Sequence, residues 1–345
     1  VKGRQIVLDE IDGRPAAALL VDGVLDDLLI APSDDRPVPG AIYRAVAQRP
    51  MKGQGGLTVD LGHATGFLRQ IKGIAPGERF LVQVTGHAEA GKAVPVTPKI
   101  LFKSRYAIVT PGAPGINVSR SIHDEERRVE LRSLATDVAD LPEGAGLILR
   151  SAAETADDDE IADDIAAMQD IAAKVMGSPD DGAELLLDGP DPHAISWRDW
   201  DADSVLAEPG AFERTGVAEW IDRLTSPEVR LSGGASAFIE PTRALVAVDV
   251  NTGGDTSQSA GMKANLALVR ALPAQLRCRG LGGQIVLDLA PMPKKERRNL
   301  ENALRAAFRA CPVETVPLGW TPLGHFELQR KRERLPLSET LTEPR

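Results

Sequence analysis

Apolar residues along this chain recur with two different periods, and the changes of period mark out its elements. Residues 5–8, 16–21 and 24–30 are apolar runs separated by Asp12-Gly13 and Asp22-Gly23. Asp-Gly between apolar runs is a hairpin signal, so the first 30 residues read as a β-meander. The stretch 31–39, with Pro32, Pro37 and Pro39, reads as a domain crossing. Strands are expected at 41–47, 56–61, 65–68, 79–85 and 93–97, spaced as in a small barrel, and another at 106–109. The period changes in 124–134, a charged helix. It changes again in 157–176, where Ile161, Ile165, Met168, Ile171 and Val175 form a core-facing stripe with acids between them. Strands at 146–151 and 183–187 and a helix at 217–224 come next. From Val229 strand and helix alternate, and the whole reads as a multi-domain α/β (α+β) chain.

Two of the later runs end in aspartate. Ala244-Leu245-Val246-Ala247-Val248-Asp249-Val250-Asn251 and Gly282-Gly283-Gln284-Ile285-Val286-Leu287-Asp288-Leu289 are too brief and too apolar for surface helices. Each reads as a short buried strand. A carboxylate buried in such a run is costly unless it is paired or holds a metal. On neighbouring strands, Asp249 and Asp288 would make an oxygen-only site suited to Mg²⁺. Their separation of 39 residues is enough for a strand–helix–strand return that brings two strand ends together. Taken singly, either aspartate can equally just end its strand and cap the next segment.

A chain of 345 residues is long for one core, so two or more domains are expected. Aromatics make up only 4%, which leaves the cores to Leu, Val, Ile and Ala. No apolar run approaches the roughly 18 residues of a membrane helix, and the first residues lead into a strand, not a signal-peptide core. No membrane partner is expected. Cys278 and Cys311 lack paired metal-ligand spacing and read as buried or incidental thiols, which speaks against a zinc site and for a reducing cytoplasm. The net charge of −10 argues against a simple nucleic-acid binder, but it is unevenly spread. Residues 151–210 are crowded with acids opposed only by Lys174 and Arg198. Lys294, Lys295, Arg297, Arg298, Arg305 and Arg309 cluster downstream, ahead of the basic tail 330–334. Such asymmetry directs a polyanion to one face, or is simply two solvated faces of opposite sign.

Within 39–100, Val59-Asp60-Leu61-Gly62, Gly66-Phe67-Leu68 and Pro76-Gly77-Glu78 suggest an oligonucleotide-binding (OB) barrel, although generic β domains share the pattern. Tyr43 and Phe67 are its only candidates for base stacking, and Phe67 could equally be core.

A longer ordered set of motifs runs from Val229: Val-Arg-Leu-Ser-Gly-Gly-Ala-Ser-Ala-Phe-Ile-Glu-Pro-Thr-Arg-Ala-Leu-Val-Ala-Val-Asp-Val-Asn. Then come Gly253-Gly254-Asp255, Asn265-Leu266, Gln275-Leu276-Arg277 and the run ending in Asp288, and after it Arg297, Leu300-Glu301-Asn302 and Leu304. This set closely resembles the catalytic core of the ribonuclease E/G family. More weakly, residues 38–68 resemble that family's inserted RNA-binding barrel. Leu141-Pro142-Glu143-Gly144 with residues 146–151 resemble its 5′-sensor.

The resemblance implies an RNase H-like domain split between 1–36 and 183–227. It implies an OB-fold RNA-binding barrel at 37–100, a 5′-sensor at 101–182 and a DNase I-like catalytic domain at 228–345. The implied activity is endonucleolytic cleavage of single-stranded, often AU-rich RNA in RNA processing or decay, with a preference for a 5′-monophosphate end. By position Asp249 and Asp288 match the family's metal-binding aspartates and Asn251 its supporting asparagine. Mg²⁺, or Mn²⁺ in its stead, would serve as cofactor, and the products would carry 5′-phosphate and 3′-hydroxyl ends. Arg150 and Ser151 match the sensor's Arg-Thr pair, and Ile108 sits where a valine gives a main-chain contact. Arginine's planar fork suits a terminal phosphate, although Arg150 could instead form an ion pair with the acidic segment. Lys294 and Lys295 are further candidates for RNA contact.

Departures accompany the match. The loop between Asn251 and Gly253 is shorter than the family's. Thr321-Pro322-Leu323-Gly324 lies where an Arg-containing segment usually contacts the RNA backbone, with His325 nearby. One barrel aromatic is replaced by Thr58. The Cys-Pro-x-Cys zinc link is absent, so no zinc and a monomer are expected. These losses keep open an RNA-binding protein of the same lineage with weak or no cleavage. A metal-dependent nuclease or phosphatase acting on DNA is a more distant alternative. Gly253-Gly254-Asp255 is a phosphate nest or a turn. Trp197 and Trp200 read as packing, and His123 and His193 have no evident partner.

Overall fold

The computed structural model describes residues 2–51, 55–69, 73–89, 91–257 and 259–341. The chain forms two compact units, one of Val1–Asp35 with Ala202–Arg345 and the other of Arg36–Asp201.

The expected meander opens the first unit. Strands β1 (Arg4–Ile11), β2 (Arg14–Val21) and β3 (Val24–Ile30) pair antiparallel. Asp12, Gly13, Asp22 and Gly23 all have positive φ, the mirror-image turn whose twist matches that of a hairpin's strands.

The second unit begins with the barrel. Strands β4 (Ile42–Met51), β5 (Gly56–Asp60), β6 (Thr65–Arg69), β7 (Arg79–Val84) and β8 (Val94–Thr97) close in the order β4-β5-β6-β8-β7-β4. The β6–β8 pair is parallel and the other pairs are antiparallel. Closure is possible because the long β4 pairs with β7 along its first half and with β5 along its second. This five-stranded closed barrel is consistent with an OB fold. Its interior is aliphatic, with Ala45, Leu57, Val59, Leu68 and Val82 buried.

Next come β9 (Phe102–Lys103), β10 (Ala107–Thr110), β11 (Gly115–Val118), helix α1 (Glu125–Val138), β12 (Gly146–Leu149) and helix α2 (Asp158–Met176). The strands form a sheet in the order β11-β12-β10-β9. Asp124 and Asp157 cap the two helices through their side chains. Ile161, Ile165 and Val175 of the predicted stripe are buried, while Met168 and Ile171 pack at the core's margin. Strand β13 (Glu184–Leu187) adds to β4 of the barrel, and helix α3 (Pro192–Asp199) completes the unit. Residues 183–201 lie in this second unit.

The first unit resumes with β14 (Ser204–Ala207), which pairs parallel with β1. Helices α4 (Ala211–Thr215) and α5 (Val217–Thr225) bury Phe212, Val217 and Ile221 in the same core as the meander. Then come β15 (Glu228–Arg230), β16 (Ser236–Pro241), β17 (Val246–Asn251), helix α6 (Ala260–Cys278) and β18 (Gly283–Asp288). The last elements are helix α7 (Arg297–Arg309), β19 (Thr315–Trp320), β20 (Phe326–Arg330) and the short α8 (Leu337–Thr340). The sheet order is β15-β16-β17-β18-β20-β19. Leu268, Leu272 and Leu276 of α6 and Leu300 and Leu304 of α7 share one core with Val248, Ile285 and Leu287. Gln284, Glu327 and Gln329 alternate with those core positions and are exposed, so part of the other sheet face is open.

A buried ion network ties β3 to α6 and to the C-terminal segment. The Asp27 side chain is 3% exposed. Both Arg334 guanidinium nitrogens bond its carboxylate, one of them at 2.9 Å. Arg277 approaches it to 3.6 Å and holds Asp26 at 2.8 Å. Burial alone would lower the Arg334 guanidinium, but Asp27 outweighs it and raises it. Breaking one side of such a group leaves uncompensated buried charge. Asp27→Ala is expected to cost about 3 kcal/mol, read as an earlier denaturant transition. A second prediction concerns the barrel unit, where Nδ1 of His87 is buried without a hydrogen-bond partner. Burial, reinforced by Arg36, lowers this imidazole from its ordinary value to about 4. The fold holds the neutral ring, whereas the unfolded chain protonates near pH 6.5. The contribution is complete above that pH and is lost progressively as pH falls towards 4, by about 2–3 kcal/mol. His87→Gln should flatten the stability–pH curve over that window.

Candidate active site

Strands β17 and β18 run parallel, and their register sets Asp249 directly beside Asp288. Neighbouring strands lie about 4.8 Å apart, so one small cation can reach both carboxylates. Val246, Val248 and Val250 of β17 and Ile285 and Leu287 of β18 face the helical core. Period-two alternation then turns Asp249, Asn251 and Asp288 to the opposite face. The amide Nδ2 of Asn251 donates to Oδ2 of Asp249 at 3.0 Å.

The expectation that these runs are buried strands holds for their apolar positions but not for the aspartates. Both carboxylates are exposed, with the Asp288 side chain at 66%. Desolvation is therefore not what would draw a metal here. The relevant force is repulsion between like charges set side by side in register, which a cation relieves. Two carboxylates and an amide make a hard, oxygen-rich donor set. That set fits Mg²⁺, which keeps several of its waters and needs few protein ligands. No cluster of three or more His, Cys, Asp or Glu side chains suited to a metal occurs among the described residues.

The segment after β18 is clamped to α6. Asn265 is fully buried; its Nδ2 donates to the Ala290 carbonyl and its Oδ1 accepts from the Ala290 N–H, both at 2.9 Å. One turn earlier, a Cβ on Gly261 would come within 2.0 Å of the Pro291 carbonyl oxygen. These two residues hold the backbone just beyond Asp288. The sequence carried Asn265 only as part of a motif; no periodicity announces that a helical amide reads a neighbouring loop.

On the β17 side, Gly253 adopts a positive φ, and a Cβ there would lie 2.2 Å from the Gly234 carbonyl oxygen. Asp255 accepts from the Ser257 N–H at 2.8 Å. Gly253-Gly254-Asp255 thus forms a tight turn packed on Gly234.

The β19–β20 hairpin borders Asp288. Thr321 donates its N–H to the His325 carbonyl at 2.8 Å, and its hydroxyl accepts from the His325 N–H at 3.1 Å. Nε2 of His325 lies 3.8 Å from Oδ1 of Asp288. Leu323, at the hairpin tip, is 86% exposed. Arg297 adds a basic group beside this hairpin, its guanidinium 4.2 Å above the Trp320 ring. Lys294 and Lys295 are exposed in the 3₁₀ turn that precedes α7.

In the second unit, Arg150 comes directly after β12 and folds over the turn between β9 and β10. Its Nη1 donates to the carbonyls of Ser104 (2.5 Å), Arg105 (3.2 Å) and Arg198 (3.0 Å). Its Nη2 donates to Oδ1 of Asp199 at 2.8 Å. Ser151 is exposed at the start of a 3₁₀ turn, and Ile108 is half-buried opposite Ile148. Arg150 thus forms an ion pair with Asp199.

The four aromatic side chains singled out in the sequence separate. Tyr43 is 2% exposed in the barrel core, with its ring centroid 5.7 Å from that of His63, so it offers no stacking face. Phe67 is half-buried on β6; a Cβ on Gly56 would strike its ring, and Thr58 is its cross-strand partner. Trp200 is packed at 7% exposure, but Trp197 is 60% exposed, with the Arg105 guanidinium 4.9 Å from its ring. Helical spacing alone could not tell these tryptophans apart, because α3 ends at Asp199. Cys278 is buried and its thiol is pushed up by that burial. Cys311 is half-buried, its sulfur accepting from Arg277 at 3.3 Å and Arg330 at 3.5 Å.

Fold and site together define a two-unit α/β protein with a closed β-barrel and paired carboxylates on a sheet face. The ribonuclease E/G family model matches residues 102–206 and 199–333, and the chain belongs to that family. It is 26% identical to Ribonuclease G of Salmonella typhimurium (strain SL1344), across 96% of this chain and 80% of that protein. It is 25% identical to Ribonuclease G of Escherichia coli (strain K12), across 98% and 81%. It is 27% identical to Ribonuclease E of a Synechocystis species, across 79% of this chain and 46% of that longer protein. Among the described residues no helix is long and apolar enough to cross a membrane. The clamp behind Asp288 yields a prediction: Asn265→Leu strands the buried Ala290 N–H and carbonyl and should cost about 3 kcal/mol in denaturant unfolding. A loss below about 1 kcal/mol would mean that the segment is held by packing alone.

Proposed function

We propose that this chain is a Mg²⁺-dependent endoribonuclease that cleaves single-stranded, AU-rich RNA to 5′-phosphate and 3′-hydroxyl ends in RNA processing or decay. The observation that carries the reading is the in-register pair Asp249 and Asp288 with Asn251 on the same sheet face, in a chain of this family. Bound Mg²⁺, or Mn²⁺ in its place, would supply an activated water and charge stabilisation at the scissile phosphate. Asp249 and Asp288 hold the ion. Asn251 restrains the Asp249 carboxylate through its amide, and Asn265 fixes the backbone beyond Asp288. Lys294 and Lys295 meet the RNA backbone, joined by Arg297 beside the hairpin, where Pro322 and Leu323 bring no charge.

In this reading the meander with β14, α4 and α5 is the RNase H-like domain, and the barrel is the OB-fold RNA-binding domain with Phe67 as its stacking face. The sheet carrying Arg150 is the 5′-sensor, with Ser151 and Ile108 beside it, and residues from 228 onward are the DNase I-like catalytic domain. The matching location is the cytoplasm.

The test incubates the protein with a 5′-monophosphorylated, AU-rich single-stranded RNA in Mg²⁺ and then in EDTA. Internal cleavage should vanish in EDTA. Asn251→Ala should slow it about 10- to 100-fold, the usual cost of losing a group that orients a metal ligand, and Asp249→Asn at least as much. Binding without cleavage under every condition would instead support an RNA-binding protein of the same lineage.

A further inference from the structure

In the second unit a cluster of partly accessible cations surrounds a single carboxylate. Oδ1 of Asp199 accepts from Lys103 Nζ at 2.8 Å and from Arg150 Nη2 at 2.8 Å. Oδ2 accepts from Arg198, at 2.7 Å from Nη2 and 3.1 Å from Nε. Three cations thus converge on one negative charge. The side chains remain 36%, 19%, 20% and 25% exposed for Lys103, Arg150, Arg198 and Asp199.

Arg150 is held in place independently of the carboxylate. Three carbonyls fix the Nη1 edge of Arg150, so its plane is set and its Nη2 edge faces the anion. Lys103 belongs to β9, in register with Ile108. Within this cluster three cations face one carboxylate; burial lowers the Lys103 ammonium, Arg198 and Arg150 lower it further, and Asp199 only partly offsets them. A phosphate monoester near neutral pH carries close to two charges and three acceptor oxygens, a closer match to three cations than a carboxylate.

Burial raises the Asp199 carboxyl, but Arg198 and Lys103 outweigh it and hold it well below the usual carboxylate range. Asp199 is the last residue of α3, and the C-terminal end of a helix disfavours negative charge. The next residue, Trp200, anchors the backbone: it is buried and its N–H donates to the Ser196 carbonyl at 3.0 Å. Rotation about the Asp199 side chain can therefore release the cations without moving the helix.

We propose that Asp199 is an internal stand-in for the phosphate of an RNA 5′ end, so that the native chain does not distinguish a 5′-monophosphate from a 5′-hydroxyl. This rests on the reading of Arg150 as the residue that receives the 5′-phosphate. The carboxylate competes for the same guanidinium edge, and it does so at the effective concentration of a group on the same chain. An incoming phosphate gains contacts but must first displace it.

The test uses the full chain and non-cleavable 2′-O-methyl RNA decamers with a 5′-phosphate or a 5′-hydroxyl, with affinities read by fluorescence anisotropy. The quantity read is the ratio of the two affinities. It should lie within twofold of unity for the wild type and rise at least fivefold in Asp199→Asn, which keeps an acceptor for one cation and so preserves the fold. Asp199→Ala should behave alike, and Asp199→Asn combined with Arg150→Gln should return the ratio to the wild-type value. A wild type that already prefers the 5′-phosphate more than twofold, or no rise in either Asp199 variant, overturns the proposal. A preference that survives loss of Arg150 overturns it together with the 5′-end reading of that residue. Because the decamers cannot be cut, the nuclease reading stands or falls separately, on Asp249.

Discussion

The parallel pairing of β17 with β18 across α6 is the constraint on which the candidate active site depends. A parallel pair needs a crossover, and α6 supplies it by packing its leucines on one sheet face. Once that face is committed to the core, alternation leaves Asp249, Asn251 and Asp288 no choice but the other. A slip of one residue in either strand would bury a carboxylate among Val248, Ile285 and Leu287 and expose apolar side chains in its place. Register and helix packing therefore enforce each other, and the juxtaposition of two like charges results from hydrophobic burial on the far side of the sheet.

That juxtaposition is unfavourable by itself, and the surrounding structure makes it rigid rather than relieving it. The Asn265 amide satisfies both backbone groups of Ala290, Gly261 lets α6 approach Pro291, and Gly253 lets the other loop approach Gly234. Each contact fixes main chain within a few residues of a carboxylate. Rigid placement of repelling carboxylates is what a cation-binding site requires, because the ion then finds its ligands already ordered.

The two units treat charge differently from the active-site face. In the first, buried Asp27 and the partly exposed Asp26 neutralise Arg277 and Arg334 and so tie the N-terminal meander to the C-terminal segment. In the second, Asp199 accepts from Lys103, Arg150 and Arg198 at once, three cations facing one carboxylate. The first arrangement is closed, with Asp27 removed from water. The second stays partly open to solvent, where a better-matched anion can compete.

Local patterning determined much of this protein. The Asp-Gly hairpins, the five barrel strands, the α2 stripe and the two aspartate-ended strands are written in short-range periodicity, and each appears close to its expected limits. The ordered motifs from Val229 also carried the family, since they record many positions at once. What the sequence left open depended on which groups meet across long separations. It could not decide that the aspartates lie exposed, because an eight-residue apolar run reads alike whether one sheet face or both are covered. Nor could it tell that Tyr43 turns into the barrel while Trp197 turns out, or that Arg150 meets Asp199 rather than solvent. Those outcomes rest on strand register, barrel closure and helix docking, which are set by the packing of distant segments and leave no periodic trace in the chain.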